Sequence, residues 1–455
     1  MQVIHAKQAL TPGGWQSDIE VIIGADGRID SVGPHTMPPT QRNDLLLPAP
    51  VNLHSHAFQR AMAGLTEARG PDPRDSFWSW RRLMYRFLDQ LTPQHIEAIT
   101  AQVFMEMLEA GYGAVAEFHY LHNDVGGRPY DNPAETSERI IAAALHSGIG
   151  LTMLPVHYQF GGCDRRALNG GQRRFGTDPA QFLRLHADVG VLIAQSPDDF
   201  ALGLAPHSLR AVDPAGLAEV VQQAASGPVH MHLAEQTAEV DEVLAAWGAR
   251  PTEWLLANHE VDARWCLIHC TQMTEAETGA LAASGAVAGL CPITESSLGD
   301  GIFNGKSFLD AGGRIGIGSD SNVQITLFEE LKTLEYSQRL RDRSRAVLAT
   351  QDRSTGRVLY EAAAAGGAQA GGRDCGRIAV GAIADLTGLE ADNPWLCNRH
   401  GDAALDSLIF GGGGQACIRD VWSAGRHVVT EGRHFRRDAV VADFKRTMRQ
   451  LETSL

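Results

Sequence analysis

His54-Ser55-His56 sets two imidazoles two residues apart. In an extended chain, residues at that spacing point to one face, so both rings can reach one metal ion. A second cluster, His230-Met231-His232-Leu233-Ala234-Glu235, repeats the spacing, and only one of its two histidines need be a ligand. Glu235 is out of phase with His232 on a continuous strand, so it can approach a metal only if the strand ends before it. Cys266-Leu267-Ile268-His269-Cys270 offers a thiol and imidazole mixture. Strand phase sets Cys266 and Cys270 on one face and His269 on the other, and no second cysteine pair follows at ligand spacing. These thiols are therefore expected to be buried and inert. Gly316-Ile317-Gly318-Ser319-Asp320-Ser321 ends the series with a carboxylate. Three imidazole or carboxylate groups around a divalent ion with an open position form the catalytic zinc pattern. Such an ion lowers the pKa of its bound water to about 7 and provides a hydroxide, while a nearby Glu and His can move protons. The chemistry indicated is metal-assisted hydrolysis.

These residues need strands that end at one rim. Leu45-Leu46-Leu47 leads a first buried strand that closes on Asn52-Leu53-His54. Apolar strand candidates recur at 114–118, 150–156, 201–205, 229–233, 265–269, 286–290 and 314–318. Helical stretches separate most of them, at 134–147, 214–225, 238–247 and 275–283, after a first helix capped by Thr92-Pro93 and carrying Ile96, Ile99, Val103 and Met107 on one face. Eight strands over roughly 270 residues match an α/β fold of the (β/α)8 TIM-barrel type, whose chemistry sits at the C-terminal strand ends. An open doubly wound sheet fits less well, because no Gly-rich phosphate loop follows an early strand. All four clusters fall at strand ends, on strands one, five, six and eight.

The two ends of the chain read differently. Val21-Ile22-Ile23 and Ile29 to Val32 flank a Gly-containing turn, and short strand-like pieces return at Gly376-Arg377-Ile378, Ala384-Asp385-Leu386, Val421 to Arg426 and Val428-Val429. We expect a small β-sandwich domain built from residues 1–47 and 375–436, a metal-dependent barrel over 48–374, and a packed helix over 437–455. Long connections follow strands one (57–91) and three (158–180). The stretches 366–372 and 411–414 read as flexible glycine connectors.

With 455 residues, 44% hydrophobic and 20% charged, the chain has an ordinary soluble composition. Its formal charge of -15 repels nucleic acid and anionic membrane surfaces, and the arginines near the C-terminus are interrupted by Asp438, Asp443 and Glu452. No apolar run spans a membrane and no charged-then-apolar leader opens the chain. Seven scattered cysteines argue against a disulfide framework, so a cytoplasmic metabolic protein is expected.

On these residues the chain resembles the amidohydrolase superfamily. The likeness covers the terminal β domain, His54-x-His56, His232, His269, Asp320 and the closing 376–386 and 421–426 segments. It implies one metal, bound by His54, His56, His232 and Asp320. Binuclear members bridge two metals with a carboxylated lysine, but the four lysines here (Lys7, Lys306, Lys332, Lys445) leave none between positions 8 and 305. A mononuclear site is therefore expected, with zinc as the ion and iron, nickel or manganese as alternatives for an N/O donor set.

Within that branch, Asn52 to Arg60 and Ser76-Phe77-Trp78-Ser79-Trp80-Arg81 are similar to the N-formimidoyl-L-glutamate deiminases of histidine degradation. The resemblance implies hydrolysis of a formimidoyl to a formyl group with release of ammonia. Glu235 would protonate the departing nitrogen, His269 would orient the hydroxide that attacks the formimidoyl carbon, and Asp320 would be both ligand and proton acceptor. Gln59, Arg81, Tyr120, His207 and Arg210 would hold the two substrate carboxylates. A dianionic substrate independently needs planar cationic donors at the barrel mouth, which arginine provides. Arg81 and Arg82 are adjacent, and either could face inward. The alternatives are a deaminase of purines, pyrimidines or related heterocycles, a triazine chlorohydrolase on the same metal core, and a catalytically silent metal-binding barrel. The expected partners are a small dicarboxylate and a second copy of the chain in a homo-oligomer, a dimer first.

Overall fold

Eight parallel strands build the centre of this computed structural model, which describes residues 1–65, 67, 84–223 and 226–452. In chain order they are Val51–Ser55, Ala114–His119, Gly150–His157, the split pair Ala201–Leu202 and Ala205–Pro206, Val229–Leu233, Trp265–His269, Val287–Leu290 and Arg314–Ile317. Nearly every residue in them is buried, as apolar runs covered on both faces require. The first four pair in sequence, and so do the last four. Single bridges join the two groups, Leu204 to Val229 and Ser208 to His232 on one side and Ser55 to Asp320 on the other. His54 O accepts from Asp320 N at 2.9 Å, and His56 N donates to Asp320 O at 2.9 Å, so the chain after the eighth strand returns to the first. The chain forms a TIM-barrel fold with a terminal β domain.

Helices connect the strands and stack outside them. Pro93–Glu109 begins with Thr92 accepting from His95 N at 3.2 Å, and buries Ile96, Ile99, Val103 and Met107 as their spacing requires. Pro179–Ala194 opens in the same way on Asp178, which accepts from Gln181 N at 2.7 Å. The final helix, Arg437–Glu452, packs Val440, Thr447 and Leu451 inward and lies against Pro93–Glu109, with His95 Nε2 3.3 Å from Gln450 Oε1.

Strands from both chain ends form one eight-stranded path, in the order 433–434, 426–430, 418–423, 386–389, 41–48, 2–11, 14–23, 29–34. Its own core contains Ile4, Val21, Ile29, Leu46, Leu386 and Trp422. Trp422 Nε1 reaches over to Gln2 Oε1 at 3.0 Å, although their strands are not neighbours in the path. The 21–32 hairpin forms, with Val21 opposite Val32.

The structure corrects four local expectations. Leu45-Leu46-Leu47 belongs to the terminal sheet, pairing with 386–389, and Ala49-Pro50 separates it from the first barrel strand. The fourth strand breaks at Gly203-Leu204, where a Cβ on Gly203 would lie 2.6 Å from Pro228 O. Gly376 to Ile378 bends and forms no strand, although Ile378 still enters the sheet core. Gly366 and Gly367 lie inside the helix Thr355–Ala370, not in a flexible connector. A Cβ on Gly366 would sit 1.9 Å from Ile315 O, and one on Gly367 would sit 2.8 Å from Val51 O. Glycine there permits the helix to touch two barrel strands.

Candidate metal centre and active site

The strand ends deliver the expected groups to one point. His54 and His56 lie at and just beyond the end of the first strand, His232 near the end of the fifth, and Asp320 three residues past the eighth. One ligand atom from each of these four buried side chains lies within 4.8 Å of the others. Asp320 Oδ1 is 3.4 Å from His54 Nε2 and 3.3 Å from His56 Nε2.

The rings are aimed from behind. His56 Nδ1 is bonded to Phe118 O at 2.9 Å and His232 Nδ1 to His207 O at 3.0 Å, which turns each Nε2 inward. Asp320 has φ +46° and Asn322 φ +55°, conformations that a side-chain network holds in place. Ser319 Oγ donates to Asn322 Oδ1 at 2.6 Å and accepts from Asn52 Nδ2 at 2.7 Å, and Asn322 Nδ2 donates to Ser55 Oγ at 3.1 Å.

These residues fit a divalent ion. Both ring nitrogens of His54 are fully buried without a hydrogen-bond partner. Burial pushes the His54 imidazole down to about 3 and holds His56 and His232 below their ordinary value, so the rings are neutral and keep a free lone pair. Burial alone would lift the Asp320 carboxyl, but His54, His56 and His269 hold it below the usual carboxylate range. Three neutral imidazoles and one carboxylate are a donor set for zinc, iron or a similar ion.

A second set of titratable groups adjoins the four. The fifth strand ends at Leu233, so Glu235 is free of strand phase and turns toward the site. His269 Nε2 lies 3.9 Å from Glu235 Oε1 and 3.9 Å from Asp320 Oδ2. Burial opposes a charge on His269, yet Glu235, Glu295 and Asp320 around it raise its pKa to about 10. Burial raises the Glu235 carboxyl above its ordinary value, with Asp320 adding to the shift and His269 and Arg210 opposing it. Cys266 and Cys270 are buried beside this layer, and burial raises both thiols.

Four of the five residues expected to hold the substrate carboxylates share one cavity. Gln59, Tyr120, His207 and Arg210 line it together with His56, His232, Glu235, His269 and Asp320. Gln59 Nε2 donates to Tyr120 Oη at 2.7 Å, while its Oε1 is buried without a partner. The His207 ring stands 4.8 Å from that of His232, and Arg210 Nη1 donates to Tyr158 Oη at 3.4 Å. Arg81, Arg82, Trp78 and Trp80 lie outside the described residues.

Three groups here escaped sequence reasoning. Glu295, on the helix Pro292–Leu298 after the seventh strand, accepts from Cys291 N at 2.9 Å and lies 3.3 Å from His269 Nδ1. Glu239 lines the cavity one helical turn after Glu235, and burial lifts its carboxyl to about 7 against the pull of Arg210. Tyr158, directly after the third strand, links Arg210 to Gln172, whose Nε2 is 3.2 Å from its hydroxyl. Position just beyond a barrel strand was the available signal for Tyr158.

Comparison with known proteins places the chain further. The family model described as Amidohydrolase family matches residues 45–428, and one described as Formimidoylglutamate deiminase HutF, N-terminal domain, matches residues 1–40. The chain is 49% identical to a formimidoylglutamate deiminase of Pseudomonas aeruginosa, over 95% of this chain and 96% of that one. A solved amidohydrolase from Brucella melitensis superposes with a TM-score of 0.94 at 46% identity, covering 99% of this chain and 100% of that chain. An adenosine deaminase from Xanthomonas campestris with bound zinc shares the fold, with a TM-score of 0.83 at 22% identity over 99% of this chain and 98% of that one.

Proposed function

The chain belongs to the amidohydrolase family, and from that premise we propose that it hydrolyses N-formimidoyl-L-glutamate to N-formyl-L-glutamate and ammonia. The relative from Pseudomonas aeruginosa bears the name of this activity over nearly its whole length. One structural observation carries the reading. A single cavity sets a His/His/His/Asp metal site and proton-transfer groups beside Arg210, Gln59, Tyr120 and His207, a cation with polar donors that suits substrate carboxylates.

His54, His56, His232 and Asp320 would hold a divalent ion, whose Lewis acidity would lower the pKa of a water there to about 7. Zinc is the ion we assign, in keeping with the donor set. Asp320, an anion, accepts a proton from the attacking water through Oδ2, the oxygen turned toward His269. His269, its pKa raised by the carboxylates around it, holds the nucleophile in place and offsets negative charge as the formimidoyl carbon becomes tetrahedral. Glu235, its carboxyl raised by burial, gives its proton to the imino nitrogen. The C–N bond then breaks as Asp320 passes the proton it took from water to the departing nitrogen, the hydroxyl proton of the tetrahedral carbon returns to Glu235, and ammonia leaves with the oxygen kept on carbon as the formyl group. Arg210, Gln59, Tyr120 and His207 hold the carboxylates and so fix the distance from the amidine to Glu235.

All seven cysteines are unpaired, which suits a reducing cytoplasm, the compartment we assign. The reading is tested by identifying N-formyl-L-glutamate as the product by NMR. Unchanged substrate in the presence of metal-loaded protein would overturn it.

A further inference from the structure

Asp320 divides its two carboxylate oxygens between two sets of groups. Oδ1 faces His54 and His56, at 3.4 and 3.3 Å, whereas Oδ2 faces His269 at 3.9 Å. Cys291 completes the second set: ligand atoms of His269, Cys291 and Asp320, all buried, lie within 4.8 Å of one another. We propose that His269, Cys291 and Asp320 form a second, weaker site for a thiophilic divalent cation, joined to the first through Asp320, and that zinc or cadmium there inhibits the enzyme.

The surroundings favour a cation. Glu295 accepts from Cys291 N at 2.9 Å, and Glu330 accepts from Ile293 N at 2.8 Å. Oε1 of Glu330, fully buried, has no hydrogen-bond partner. The carboxylates of Asp320, Glu295 and Glu330 are therefore close enough to act on the thiol, and one of them has an unmatched oxygen. A sulfur, a nitrogen and an oxygen select zinc or cadmium over magnesium or calcium. On coordination the Cys291 thiol and the protonated His269 ring each release a proton to solvent, so that Sγ binds as thiolate and the imidazole through its freed lone pair. The ion would occupy Asp320 Oδ2 and His269, the groups that the deiminase reading uses for proton transfer. Inhibition rests on that reading, whereas binding does not.

The test uses protein carrying one ion per chain, titrated with cadmium chloride and followed by thiolate-to-cadmium charge-transfer absorption. A second equivalent should produce the band in wild type and in Cys266→Ala, and not in Cys291→Ala or Cys291→Ser. The serine variant keeps the side-chain volume, in case alanine disturbs the core. In parallel, excess zinc chloride should inhibit ammonia release reversibly, with a chelator restoring it. Both Cys291 variants should need at least about tenfold more zinc for half inhibition, since even outer-shell changes shift metal affinity by about 10- to 100-fold. Their kcat/KM without added zinc should stay near wild type. Absence of the band in wild type, or equal zinc sensitivity in the variants, would overturn the site. Because the absorption needs no turnover, it separates this inference from the assignment of substrate.

Discussion

His269 Nδ1 lies 3.3 Å from Glu295 Oε1, and the same ring turns Nε2 to Glu235 and Asp320, each 3.9 Å away. Glu295 is itself fixed by Cys291 N at 2.9 Å, so the imidazole is oriented from the barrel wall. Glu295→Gln should lower kcat by about 10- to 100-fold with KM little changed, the usual cost of losing a partner that aims a functional histidine. Steady-state kinetics checks this, and a wild-type kcat would remove Glu295 from the site.

Glu235→Gln keeps the shape of the side chain and removes the proton. Turnover should fall by about 10²- to 10⁴-fold, the range for loss of general acid catalysis. Metal content, measured by mass spectrometry, should be unchanged, because Glu235 is outside the four-residue cluster. Near-normal turnover would contradict its role as the acid.

Arg210 meets Tyr158 at 3.4 Å and lines the cavity. Arg210→Met should raise KM for N-formimidoyl-L-glutamate by about 10- to 100-fold, as loss of a charged hydrogen bond predicts. The same variant should lose discrimination against uncharged formamidines. An unchanged KM would discard Arg210 as a carboxylate anchor.

Stability has its own pH signature at the junction of barrel and terminal sheet. Asp199 receives two hydrogen bonds from Arg426, at 2.9 and 2.7 Å, and lies 3.6 Å from Arg373, which also pairs with Asp385 at 3.1 Å. Burial would raise the Asp199 carboxyl, but Arg426 and Arg373 hold it below its ordinary value. A carboxyl with a depressed folded-state pKa contributes stability above its unfolded value near pH 4, and that contribution is lost as pH falls through the folded value. Asp199→Asn should therefore lower Tm at pH 7, and the gap from wild type should narrow below about pH 4. A gap independent of pH would exclude this electrostatic origin.

Much of this arrangement was legible in the chain because barrel strands are short apolar runs and their ends are marked by polar residues. His54, His56, His232, His269 and Asp320 each sit at such an end, so their convergence follows from the barrel alone. Glu295 and Glu239 lie on helices beyond the strands, where inward direction depends on helix phase and on the angle of the following segment. Neither is set by local spacing. Gly366 and Gly367 read as breakers for a related reason: their use is contact with Ile315 and Val51, which are distant in sequence. The pairing of 386–389 with 45–48 likewise joins segments more than 300 residues apart, and no local pattern encodes it.

The central claim is a metal-dependent deiminase selective for a formimidoyl dicarboxylate. The most direct measurement is ammonia release by metal-analysed protein from N-formimidoyl-L-glutamate, with N-formimidoyl-L-aspartate, guanine and cytosine in parallel. The expected result is fast turnover of N-formimidoyl-L-glutamate, weaker turnover of the shorter homologue, none of the heterocycles, and loss of activity on chelation that zinc restores. Turnover of guanine or cytosine with N-formimidoyl-L-glutamate inert, at about one bound ion per chain, would contradict it.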